Sequence, residues 1–126
     1  MRGTLPPLIL LACLLSFALW NGARITDDTA RWRAQLQKAD TLAQSEDWAG
    51  AAAALSESHE DWSGRQPYLR TVSQHSAVDE AESMYRRCQA FAAARELSEF
   101  RAELAGLREQ LRLLAEMERF SIQNIL

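Results

Sequence analysis

The sequence predicts an all-α protein, an apolar N-terminal helix followed by an antiparallel bundle of about four helices. Three observations predict it. Alanine, leucine, arginine, glutamate and glutamine dominate beyond residue 24, and all of them favour helix. Punctuation is sparse, with five glycines and three prolines, two of those prolines close to the N-terminus. Leu97, Phe100, Leu104, Leu107, Leu111 and Leu114 alternate steps of three and four without error, the spacing of one buried helix face. Short breaks between helices force antiparallel neighbours, so up-and-down packing is the simplest arrangement. Two helical hairpins stacked as in TPR repeats are the alternative, although "DWAGAAAAL" at 47–55 has no visible second copy.

A chain of 126 residues has room for one domain, here residues 25–126, preceded by a signal anchor or transmembrane helix over 1–24. Acidic residues (17) outnumber basic ones (14). Two of the basic ones, Arg2 and Arg24, belong to the N-terminal segment, so the bundle is more acidic than the net charge of −3. That balance excludes a nucleic-acid binder, which needs a basic face to displace counterions from phosphates. Cys13 lies in the apolar segment and Cys88 in a helical stretch, so no internal disulfide is expected and no C-x-x-C pair exists.

The N-terminal segment carries no charge from Gly3 to Ala23. Its apolar run, Leu5 to Trp20, covers about 16 residues or about 24 Å of helix, slightly under the usual span, with Trp20 placed as an interface anchor. Pro6 and Pro7 fall in the first turn, where helix tolerates them. An uncleaved anchor through residues 5–23 is the leading reading. A signal peptide cut after Ser16-Phe17-Ala18 and a lipoprotein box, "LLAC", acylated at Cys13 are the competitors. A short basic start before an apolar run is signal-like. The expected location is therefore the cell membrane, single-pass, with the bundle outside the cytoplasm.

In the bundle, Thr26 or Asp27 is expected to cap the first helix, whose stripe is Trp32, Leu36, Ala39 and Ala43. Ser45 is expected to cap the second, with Trp48, Ala51, Ala52, Leu55 and Trp62 facing inward. Gly64 reads as its end and Pro67 as the start of a third helix running to about Phe91. The fourth carries the leucine seam, with Leu104, Leu107 and Leu111 at its centre. Trp32, Trp48 and Trp62 are expected to be packing anchors.

No Gly-rich phosphate loop, H-E-x-x-H or G-x-S-x-G occurs, so no catalytic residue, metal site or cofactor is assigned. The third helix separates an apolar face (Val78, Ala81, Tyr85, Cys88, Ala92) from a charged row, His75, Asp79, Glu82 and Arg86. As a solvated strip, its i,i+4 pairs would contribute roughly 0.2–0.5 kcal/mol each. As a functional strip, it would be a partner-binding patch, joined by Asn124. A metal site would need His59 to converge on it, and His59, among Glu57, Glu60 and Asp61, is expected to be exposed.

The apolar N-terminus, "EDWAGA" at 46–51, Trp62, "QHSAVD" at 74–79 and the closing "EMERFSIQNIL" together resemble a family of unknown function. Its members are small, single-pass, membrane-anchored helical proteins of spore-forming Gram-positive bacteria, and the resemblance covers roughly Leu8 to Leu126. The family's central motif is similar to D-H-x-E-[IL]-D. This chain keeps His75, Val78 and Asp79 but has Gln74 and Ala77 in place of two acids, which removes two carboxylates a metal or acid–base role would use. The resemblance implies no activity and raises the standing of the His75 row as a recognition surface. The expected function is thus a non-enzymatic, membrane-tethered interaction or structural protein with a protein partner. A small-ligand or metal-binding domain using His59, His75, Asp79 and Glu82 is the alternative.

Overall fold

The structure, a computed structural model, describes the backbone of residues 5–72 and 75–125, and side chains for residues 6–20, 23–24, 26–65, 75–117 and 120. Its helices are α1 (Leu5–Gln44), α2 (Trp48–Val72), α3 (His75–Ala94) and α4 (Leu97–Ile125). α1 and α3 each pack against both α2 and α4, so the helices form a ring in chain order, the up-and-down bundle.

The two short reversals at one end of the bundle are built alike. After α1 the Glu46 N–H donates to Ala43 O and the Asp47 N–H to Leu42 O, both at 2.9 Å. After α3 the Arg95 N–H donates to Ala92 O and the Glu96 N–H to Phe91 O. Each is a Schellman motif that satisfies the last carbonyls of the helix, and each puts a non-glycine residue in the left-handed region, Glu46 at φ 63° and Arg95 at φ 56°. After α1 the next residue, Asp47, then caps α2. Asp47 Oδ1 accepts from the Gly50 N–H at 2.9 Å, so Asp47, and not Ser45, is the cap; Ser45 turns back to Thr41 O.

Trp32, Leu36, Ala39 and Ala43 are fully buried, as are Trp62, the whole α3 face from Val78 to Ala92, and Phe100 to Leu114 on α4. The heptad seam is therefore real from Phe100 onward, whereas Leu97, at the first turn, stays 38% exposed. On α2 the inward positions are Ala51, Ala54, Leu55, Ser58 and Trp62, and Ala52 faces out. Trp48 sits half-buried at the rim, edge-on to Phe100 at 5.5 Å.

Three expectations about boundaries are corrected. α1 does not begin at Thr26 or Asp27, because nothing between Trp20 and Arg31 breaks helix strongly enough to separate the apolar segment from the bundle. α2 does not end at Gly64. It continues through Pro67 to Val72, held to α1 on its inner side by Trp62 and by an Arg65–Asp28 ion pair at 2.8 Å, while Gly64 faces open space. Pro67, read as the start of the third helix, belongs to α2. Finally, among the described residues no helix is long and apolar enough to cross a membrane, which corrects the transmembrane helix expected over 1–24. The apolar run falls short of a hydrocarbon core of about 30 Å, and α1 passes from it directly into the part that packs in the bundle.

Candidate functional site

α3 carries the charged row, and the bundle divides it. His75, Asp79 and Arg86 stand exposed, whereas Glu82 is drawn into the seam between α2 and α3. Both Glu82 carboxylate oxygens lie 3.2 Å from Nε2 of His59 on α2, and Oε1 also accepts from Arg86 Nε at 3.0 Å. His59 is thus half-buried rather than exposed. Its ring stacks on Trp62 (6.3 Å), tilts against Tyr85 (5.2 Å) and presents Nδ1 to the Gln89 amide at 3.5 Å. The side chain of Asn124 lies outside the described residues.

Behind this latch is a buried aromatic knot. Trp62 and Tyr85 meet at 5.3 Å, and the Tyr85 hydroxyl shares a 2.8 Å hydrogen bond with Ser58, which also reaches Trp32 O. Burial pushes the Tyr85 phenol above its ordinary range, with the Ser58 hydrogen bond opposing it in part. Burial likewise pushes the Cys88 thiol up to about 12, helped by the Glu103 carboxylate. Neither group ionises near neutrality, so neither offers a nucleophile there. The indole N–H groups of Trp32 and Trp62 are buried without a partner, a cost on the order of 1–3 kcal/mol each that aromatic packing must outweigh.

Two buried acids hold the helices in register. Asp28 (8% exposed) pairs with Arg65 on α2 at 2.8 Å and Arg31 at 3.2 Å. Asp40 (5% exposed) pairs with Arg101 on α4 at 3.0 Å. Arg87 joins Glu103 and Glu80 across the α3–α4 face, and Arg112 bridges Glu109 and Glu116 on α4. The Arg112 hydrogen bond holds the Glu109 carboxyl below its ordinary range.

Among the described residues no group of three or more His, Cys, Asp or Glu side chains converges to hold a metal ion. A cleft of about 490 Å³ between the start of α2 and the end of α3 is lined by Trp48, Ala52, Leu55, Gln89, Ala92 and Arg95 among others. A smaller one, about 150 Å³, lies between α1 and α4 at Thr29, Arg33 and Arg112. Neither is lined by His59, Ser58 or Tyr85.

The other notable surface is the first part of α1. From Leu8 to Trp20 its large apolar side chains stand 53–61% exposed, except Leu15, which is half-buried, and because Leu8, Ile9, Leu10 and Leu11 are consecutive they point to every side of the helix. At its lower edge the Arg24 guanidinium lies 4.8 Å over the Trp20 ring.

A profile of the domain of unknown function DUF4363 matches residues 19–125. The chain belongs to that family. The DUF4363 region takes in the whole bundle and begins at Leu19, leaving most of the apolar sleeve outside it. No curated protein and no solved structure matches the chain.

The sequence missed the buried pairs and the latch, yet the signals were present. Asp28 is four residues before Trp32 on the same stripe, and Ser58 falls between Leu55 and Trp62 at core spacing.

Proposed function

We propose that this DUF4363 protein is a non-enzymatic, membrane-tethered helical module that presents its bundle to another protein at the membrane surface. The observation that carries this is the sleeve. A helix apolar on all sides gains little from a single groove, which buries one stripe, and most from an apolar phase that surrounds it. Burying its large side chains at about 1.5–3 kcal/mol each far exceeds what stable membrane association needs. The run is too short to cross the bilayer, so in this reading the sleeve is inserted in the apolar phase without spanning it, with Arg24 reaching to the headgroups beside Trp20. The tether resembles those of the anchored relatives in spore-forming Gram-positive bacteria, and the signal-like start places the bundle outside the cytoplasm in this reading.

Partner contact is assigned to the α3 surface of His75, Asp79 and Arg86, exposed and level with the latch that fixes α3 on α2. Flotation of the full chain with lipid vesicles tests the tether. The chain rises with the vesicles, and a Leu11→Glu/Leu14→Glu variant stays in the dense fraction; a chain that never rises, or a variant that rises equally, contradicts it. Recovery from native membranes tests the surface. A partner captured by the full chain is lost with His75→Ala/Asp79→Ala/Arg86→Ala, and equal recovery by both rejects that assignment.

A further inference from the structure

We infer that the tip of α4, centred on Phe120, is a second lipid contact that enters the headgroup layer beside the sleeve. The inference rests on the tether reading and extends it to a two-point foot. Its basis is register. α4 runs antiparallel to α1, with Arg101 bonded to Asp40, Arg108 to Gln37, and Arg112, Ala115 and Glu116 sharing a cleft with Thr26, Thr29 and Arg33. From Arg108 to Glu116, about eight steps forward on α4 are matched by about eight steps back on α1, from Gln37 to Thr29. Continued past that cleft, the backbone at Phe120 comes level with about residue 25, next to Arg24 and roughly one helical turn short of Trp20, and α4 remains helical to Ile125.

Charge stops at this same level on both helices. α1 carries no charged side chain from Gly3 to Ala23, and its first charge toward the bundle is Arg24. α4 is densely charged up to Arg119, then has none from Phe120 to Leu126. Two sequence-distant segments losing charge at one height mark the plane of a dielectric boundary. Phe120 is 64% exposed, more than any other large apolar side chain of the described residues. An aromatic ring close to Arg24, about one helical turn from Trp20, at that plane matches the interfacial belt of membrane proteins. The occupant is therefore a phospholipid surface, with Phe120 in its interfacial layer.

Brominated-lipid quenching tests this on the full chain in vesicles of equal parts phosphatidylcholine and phosphatidylglycerol. Three chains are compared: wild type, Trp20→Phe, and Trp20→Phe/Phe120→Trp. The difference between the first two reports position 20, and that between the last two reports position 120. Quenching at both positions, only when the acyl chains carry bromine, is the expected result. Quenching at 20 but not at 120, whether because the ring stays in water or is covered by protein, overturns the inference and leaves the tether standing. Quenching at neither removes the tether reading and the inference with it. As a second readout, Phe120→Asp weakens vesicle partitioning about tenfold with unchanged helicity; unaltered partitioning also counts against the foot.

Discussion

Glu46 and Arg95 occupy equivalent positions in two Schellman turns, both with a side chain where glycine is ordinarily found. A left-handed non-glycine residue costs on the order of 1 kcal/mol. Glu46→Gly and Arg95→Gly should each stabilise the bundle by about 1 kcal/mol, read as a higher urea midpoint at unchanged slope; loss of stability in both would mean that side-chain contacts decide those turns. Cys88 gives a pH dependence. Its pKa is raised from 9.0 to about 12 by burial. Below pH 9 the thiol is protonated whether folded or not, and its contribution is intact. Above pH 9 the unfolded chain releases the proton first, so stability falls by up to about 1.4 kcal/mol per pH unit. Urea titrations at pH 8, 9 and 10 should show that fall in the wild type and a shallower one in Cys88→Ala, Tyr85 alone then resisting ionisation. Equal slopes would show that Cys88 is not the titrating group.

At the level of elements, α2 is the instructive case. Gly64 reads as a stop, yet in the structure it is a solvent-facing residue inside a continuous helix, and a Cβ there would meet nothing within 4 Å. Its backbone is not in the left-handed region, so Gly64→Ala should raise stability by about 1 kcal/mol in thermal or urea unfolding. A neutral or destabilising result would indicate that α2 is interrupted there. The faces of α3 and α4 were legible because their apolar spacing repeats without exception, from Val78 to Ala92 and from Phe100 to Leu114. Helix ends were less so, because stop and start signals near Thr26, Ser45 and Gly64 act only when tertiary contacts allow them. In α2 the Arg65–Asp28 pair and buried Trp62 lie on either side of Gly64 and hold the helix through it. The candidate row was legible as a face but not as a set of partners. Only folding brings His59 to Glu82, since the two are distant in sequence and meet across a helix–helix seam.

For the whole molecule, the defining feature is the contrast along α1, one uninterrupted 40-residue helix that is buried among partners at its C-terminal half and bare and apolar at its N-terminal half. In the proposed tether, about 60 Å of continuous helix would fix the bundle's distance and tilt relative to the membrane, where a loose linker would not. The proposal then presents the α3 surface at a fixed height. Hydrogen exchange of the full chain, with and without vesicles, tests the claim most directly, because a helix bare on all sides opens readily in water and hardly at all in lipid. Amides of residues 8–20 should exchange fast without vesicles and become protected when vesicles are added, with the core amides of α3 and α4 unchanged. Protection of residues 8–20 that is already present without vesicles, or that vesicles leave unaltered, would contradict the account.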